Sequence, residues 1–373
     1  MSESEQTVLL GLTLQELCDL SDGWGQPAFR GRQLFDAVYR QRHDSVESIT
    51  TLPSTLRSTL RGSGVSIGLP AIEKKFVSHD GTVRYLISLG DGQTVETVWM
   101  PEGDDGETGD GTDAGQRGDG PGPRVDRATI CVSSQAGCAV ACQFCMTALL
   151  GIKRNLTAGE IVGQVCAVLN DQCVSPPNDR VNLVFMGMGE PFLNYDNFIK
   201  AVALLQEGVG IPESRMTVST AGIVPGIYAL GGEAVRPKLA ISLNASNDDL
   251  RTRLMPINRK WNIEKLIAAA RDFPLRPREK LTFEYVLLNE VNDSEENARE
   301  VVELIRGIRA KVNLIALNPG PGIDFATPSH ERVLGFQAIL TAAGVPAFIR
   351  RPRGRDIFAA CGQLKRTLQP TLT

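Results

Sequence analysis

At 373 residues, 42% of them hydrophobic, the chain can bury a large core in one big or two modest domains. No stretch is long and apolar enough to span a bilayer, and the acidic start Met1-Ser-Glu-Ser-Glu-Gln6 precedes no signal-like apolar run, so a cytoplasmic protein that leaves membranes alone is expected. The net charge of −4 speaks against a polyanionic partner only at first sight, because residues 101–124 alone carry five Asp, two Glu and two Arg and leave the rest of the chain nearly neutral.

Apolar positions recur at helical spacing in Leu12-Thr-Leu-Gln-Glu-Leu-Cys-Asp-Leu20 and again in Gln33-Leu-Phe-Asp-Ala-Val-Tyr39. Gly-Trp-Gly-Gln-Pro breaks the pattern between them, so residues 1–65 are expected to form a small helical N-terminal domain. Residues 66–126 follow as a β-hairpin extension, with strands at 82–88 and 94–99 flanking Gly90-Asp-Gly92. Within it, residues 102–124 offer almost nothing to a core and read as a disordered acidic loop. Two basic runs stand out, Arg30, Arg32, Arg40 and Arg42 near the start and Arg350, Arg351, Arg353 and Arg355 near the end. Such runs either contact phosphate or form solvated faces.

From residue 127 to 373 strands alternate with helices, which argues for a parallel sheet wrapped by helices. Strands are expected at 128–133, 181–187, 216–219, 239–243, 282–288 and 312–317, with a short one at 346–350. Thr157 and Glu160 form a capping box for one of the intervening helices. Six βα units suit a partial barrel, and parallel α/β folds bind ligands at the carboxyl ends of their strands. Here those ends carry Gly187-Met-Gly-Glu190-Pro191, Ser219-Thr-Ala-Gly222, Ser242-Leu-Asn244 and Asn318-Pro319. Each alone reads as turn chemistry; together they mark a ligand site. No strand is followed by a G-x-G-x-x-G turn, which discounts dinucleotide-type binding.

The first of these strands runs into Cys138-x3-Cys142-x2-Cys145, a spacing that lets three thiolates converge on one side of a short loop. Eight cysteines in a reducing compartment read as ligands and reactive thiols rather than a disulfide framework, with Cys18, Cys166 and Cys173 as packing residues. A [4Fe–4S] cluster needs one ligand per iron, and three cysteines leave one iron open for a group that is not protein. Structural zinc, the alternative, prefers four protein ligands, and His43, His79 and His330 are far away in sequence.

This triplet, together with Phe29-Arg-Gly-Arg-Gln-Leu-Phe35, Cys131, Gly187-Met-Gly-Glu-Pro191 and Arg353-Gly-Arg-Asp-Ile-Phe-Ala-Ala-Cys-Gly-Gln-Leu364, resembles the RlmN/Cfr family of radical S-adenosylmethionine (SAM) RNA methyltransferases, its RlmN branch most of all. The resemblance covers nearly the whole chain, and relative to the family the acidic loop looks like an insertion. It implies an α/β fold, a partial (β/α)6 radical SAM barrel whose small helical N-terminal domain is an RNA-binding accessory. The implied cofactors are a [4Fe–4S] cluster on Cys138, Cys142 and Cys145 and SAM held by Gly189, Glu190, Ser219, Ser242, Leu243, Asn244 and Asn318. Family members often carry His where this chain has Asn244.

The resemblance also implies a covalent path. Cys361 matches the cysteine that takes a methyl from one SAM, and a 5′-deoxyadenosyl radical from a second SAM removes a hydrogen from that methyl, so that a carbon radical adds to an adenine ring carbon. Glu96 matches the proton acceptor and Cys131 the thiol that frees the product by closing a disulfide with Cys361. By themselves the two cysteines read equally well as inert buried thiols, and Glu96 reads as a solvent-facing strand carboxylate. The implied activity is methylation of adenosine C2 in 23S rRNA and, by family analogy, in tRNA next to the anticodon, by a monomer that draws electrons from a donor such as flavodoxin. The alternatives are Cfr-type methylation at C8 or, from another class, an iron–sulfur RNA-binding or electron-transfer protein.

Overall fold

The computed structural model describes residues 7–101 and 127–364, so the acidic segment 102–124 lies outside the described residues. Three helices open the chain: α1 (Leu14–Gly23), α2 (Phe29–Phe35) and α3 (Ser54–Gly62). The first begins two residues later than its apolar repeat because Thr13 caps it, accepting the Glu16 N–H at 3.2 Å while Glu16 takes the Thr13 N–H at 2.7 Å. The second continues as a π-turn over Asp36–Arg40. That places the buried Tyr39 so that its hydroxyl donates to Leu12 O at 2.7 Å and accepts the Gly11 N–H at 2.9 Å, tying the helices to the start of the chain.

Strands β1 (Ala71–Val77), β2 (Val83–Ser88) and β3 (Thr94–Pro101) form an antiparallel meander, and β4 (Ala128–Cys131) pairs antiparallel with β3. A separate two-stranded pair, β5 (Gln135–Gly137) and β6 (Ile152–Asn155), precedes α4 (Ala158–Asp171), which the Thr157–Glu160 capping box starts. Then follow β7 (Val181–Phe185), α5 (Tyr195–Leu204), β8 (Met216–Thr220), α6 (Val224–Gly232), β9 (Lys238–Ser242), α7 (Asp248–Leu254), α8 (Ile263–Asp272), β10 (Leu281–Leu287), α9 (Glu295–Ile305), β11 (Ala310–Ala316), α10 (His330–Ala342) and β12 (Ala347–Ile349).

One ten-stranded sheet results, ordered β1-β2-β3-β4-β7-β8-β9-β10-β11-β12. Every pairing from β4 to β12 is parallel, as the strand–helix alternation predicts. The expected strands recur within two residues at each end, and β1, β5 and β6 are additions that periodicity did not reveal. A continuous apolar core joins Leu17, Leu34 and Tyr39 of the N-terminal helices to Ile130, Leu183, Val218 and Phe283 of the sheet. The outer face of α4 is covered in consequence, and its residues from Ile161 to Leu169 are all buried. No described helix is long and apolar enough to cross a membrane.

Candidate active site

The pleat brings the reactive candidates to one face. Cys131 ends β4 opposite Val98 of β3, so Glu96 is its diagonal neighbour on the same side of the sheet, where Cβ atoms lie about 7–8 Å apart. Thr97, one residue on, points the other way and donates to Gln164 of α4 at 2.8 Å. Glu96 is therefore not a solvent-facing carboxylate. Its side chain is fully buried and ion-paired with the equally buried Arg84 of β2, whose guanidinium stacks 4.1 Å over the Phe76 ring. Sequence reasoning missed Arg84, although a charged residue in a strand that is otherwise apolar was a signal.

Cys361 lies in the segment after β12, which docks across the same end of the sheet. Gly362 O accepts the N–H of Met146, next to Cys145, at 2.8 Å; Leu364 O accepts the Thr147 hydroxyl at 2.8 Å; and Gln363 donates to Pro319 O at 2.7 Å. Asn318 Nδ2 reaches Cys361 O at 3.4 Å. Farther back, the turn after β1 clasps the segment: Ser78 donates to Asp356 at 2.5 Å, and Asp80 accepts the Gly354 N–H at 2.9 Å. Gly354 has φ +59°, and a Cβ there would approach Ala359 Cβ to 2.7 Å.

Cys131 and Cys361 come close enough to interact electrostatically, and neither forms a disulfide. Burial, first, and then the neighbouring Cys361 and Glu284 drive the Cys131 thiol far above its usual range, which keeps it protonated and slow to attack.

Cys138, Cys142 and Cys145 are half-buried and pack on Val140, Phe144, Leu254 and Met255. Burial and mutual repulsion push Cys138 up to about 12 and Cys142 well above its ordinary value. Among the described residues no group of three or more His, Cys, Asp or Glu is drawn together as a single-ion site. Three soft thiols on one loop, with Cys138 and Cys142 unfavourable as thiolates without a cation beside them, are a donor set suited to an iron–sulfur cluster. Arg251, which sequence reasoning also missed, is fully buried beside them and binds the carbonyls of Ala221 at 2.7 Å, Ser242 at 3.1 Å and Leu243 at 3.1 Å, so one guanidinium ties the ends of β8 and β9 together. Burial lowers its pKa to about 10.

At the ends of β7 to β10 the expected ligand residues form two groups. Gly189 has φ +100°, and a Cβ there would meet Gln135 N at 2.7 Å, so this turn requires glycine. It positions Glu190, whose carboxylate accepts the N–H groups of Ala221 at 2.6 Å and Phe192 at 3.1 Å and is pushed up to about 7 by burial. Ser219 lies 3.3 Å from Ser242 and donates to Glu284 of β10 at 2.7 Å. Glu284 is a third residue that sequence reasoning missed. Burial raises its pKa, opposed by Ser219 and then Arg350. Leu243 is buried and donates to Glu284 O. The Asn244 amide is spent on Val286 N at 2.9 Å and Met255 Sδ at 3.3 Å. A ring of serines, carboxylates and glycine backbone beside an apolar core fits the polar head of SAM.

The two basic runs part company here. Arg42 is buried against Asn170 and Val174 O, and Arg40 pairs with Asp36, so the N-terminal run is partly structural. Of the C-terminal run, Arg351 and Arg355 are exposed and Arg350 and Arg353 half-buried, in the segment that leads to Cys361.

Residues 132–302 match the radical SAM superfamily. A probable dual-specificity RNA methyltransferase RlmN of Koribacter versatilis is 66% identical over 349 residues, which is 94% of this chain and 99% of that one. The chain belongs to the RlmN family. A second member, the dual-specificity RNA methyltransferase RlmN of Syntrophobacter fumaroxidans, is 42% identical over 96% of this chain and 98% of its own. The crystal structure of a radical SAM methyltransferase from Sphaerobacter thermophilus superposes with a TM-score of 0.85 at 43% identity, covering 96% of this chain and 99% of that one. Membership of the radical SAM superfamily implies SAM and a [4Fe–4S] cluster as cofactors.

Proposed function

We propose that this chain methylates C2 of adenosine in 23S rRNA, and of an adenosine beside the anticodon in tRNA, through a methyl carried on Cys361. What supports the reading is the docking of the Cys361 segment onto Asn318 and Met146, within electrostatic reach of Cys131, with the buried Glu96 carboxylate diagonal to Cys131 on the same sheet face. A cluster held by Cys138, Cys142 and Cys145 supplies, when bound, the electron that cleaves SAM. Gly189, Glu190, Ser219, Ser242, Leu243, Asn244 and Asn318 line the place proposed for SAM, with Glu190 facing its ammonium.

The rest falls to this chain's own residues. An adenine ring carbon is neither acidic nor nucleophilic, so the methyl must first be placed on a thiol. Cys361 Sγ accepts it, and the docking of residues 362–364 onto Met146, Thr147 and Pro319 holds that sulfur beside the cluster loop. Once the carbon has joined the ring, the adduct must give up its unpaired electron to an oxidised acceptor such as the cluster would offer, and Glu96 takes the ring proton. Cys131, on losing its own proton, attacks Cys361 Sγ; the disulfide closes, the sulfur–carbon bond breaks with its electron pair left on the carbon, and a proton completes the methyl. A Cys131 that stays protonated until this stage does not waste the resting enzyme on disulfide formation. An iron–sulfur carrier has no use for this pair.

The experiment that tests the reading incubates reconstituted enzyme with SAM, reductant and RNA bearing deuterium at adenine C2 or at C8. Loss of the C2 label with gain of a methyl there supports it, whereas loss of the C8 label makes the chain a Cfr-type enzyme.

A further inference from the structure

Beside the catalytic segment a cleft of about 580 Å³ opens between the carboxyl ends of β11 and β12 and the start of α10, within the size range of small-ligand sites. Asn318, Phe348, Arg350, Arg351, Pro352 and Arg355 are among the residues that line it. Arg351 and Arg355 are exposed, and neither guanidinium makes a hydrogen bond or ion pair among the described residues. Arg350 is different, since it faces the Glu284 carboxylate at the inner end. The cleft adjoins the Cys361 segment, because Arg350 to Arg355 lead into that segment and Asn318, which lines the cleft, donates to the Cys361 carbonyl at 3.4 Å. Two unpaired guanidiniums at the rim, over an apolar wall that contains an aromatic ring, match a phosphate joined to a flat base.

We propose that this cleft binds the nucleotide that flanks the target adenosine in single-stranded RNA, with its phosphate on Arg351 and Arg355 and its base against Phe348. The proposal rests on the RNA methyltransferase reading and adds to it a second contact, which places the adenosine over Cys361. Continuity with the Cys361 segment is what selects RNA, since the polymer that presents the adenine must cross this rim. A bound phosphate at the rim fixes position without reading sequence, and stacking on Phe348 tolerates any base.

The test compares wild-type enzyme with Arg351→Ala/Arg355→Ala and Arg351→Lys/Arg355→Lys on an RNA hairpin whose target adenosine is in the loop. The alanine pair should raise KM for the hairpin at least tenfold, and the slope of log affinity against log salt should become shallower by about one to two. The lysine pair, which keeps the charge, should restore most of both. The methyl carried on Cys361 after incubation with SAM alone, measured by peptide mass, reports whether the reaction centre is intact in each variant. Wild-type KM and salt slope in the alanine pair, with wild-type enzyme methylating the hairpin, would overturn the proposal while leaving the function standing. Failure of wild-type enzyme to methylate any RNA would remove both.

Discussion

Glu96 is both an ion-pair partner in the core and the proposed proton acceptor, and the two roles can be separated by substitution. Removing one member of a buried pair leaves an uncompensated charge and costs about 3–5 kcal/mol. Arg84→Ala and Glu96→Gln are therefore both expected to lower the free energy of unfolding by amounts of that order. Only Glu96→Gln removes the base, and loss of a positioned base slows turnover by about 10²–10⁴. Denaturant titration and single-turnover assays on both variants check this, and equal turnover losses at equal destabilisation would deny Glu96 its chemical role. At this scale the sequence was legible where residue type and spacing carry the chemistry, as in Cys138, Cys142 and Cys145. It was silent on Arg251, whose role is defined by carbonyls 8 to 30 residues away that only the folded strand ends bring together.

The turn that links β1 to β2 acts on the catalytic segment through Asp80. Burial alone would raise its carboxyl, but the donated N–H groups of Gly354 and Thr82 outweigh burial and hold the group below its ordinary 3.8. A folded-state pKa below the unfolded one contributes stability that is complete above the ordinary value and disappears as pH falls through the lowered one. Asp80→Ala should therefore cost about 1 kcal/mol at pH 7, a figure discounted for the exposure of the turn, and progressively less as pH falls below the ordinary carboxylate range. Unfolding measured across that range checks it, and a difference that does not change with pH would contradict it. Methylation of Cys361 should slow several-fold in the same variant, since the clasp holds the segment that carries the thiol. None of this was readable from periodicity, which also missed β1. That strand is a largely exposed edge carrying Glu73, Lys74 and Lys75, and charged edges lack the apolar alternation that marks a half-buried strand.

Across the whole molecule the parallel half of the sheet was the most legible part, because its strands, with no exposed residue, alternate regularly with helices. The N-terminal helices were legible as helices but not as a cover for α4, since that depends on the close approach of Gly11 to Gly159. The acidic overall charge was a poor guide, and the placement of Arg351 and Arg355 beside Cys361 matters more for a polyanionic substrate. What makes the fold an enzyme in this account is that it brings a C-terminal thiol to the end of β4. The most direct measurement is mass spectrometry of Cys131→Ala protein after one turnover with SAM, reductant and RNA. RNA should remain covalently joined to Cys361 through a single added carbon, because no thiol is left to release it. Free methylated RNA at the wild-type rate, with Cys361 unmodified, would contradict it.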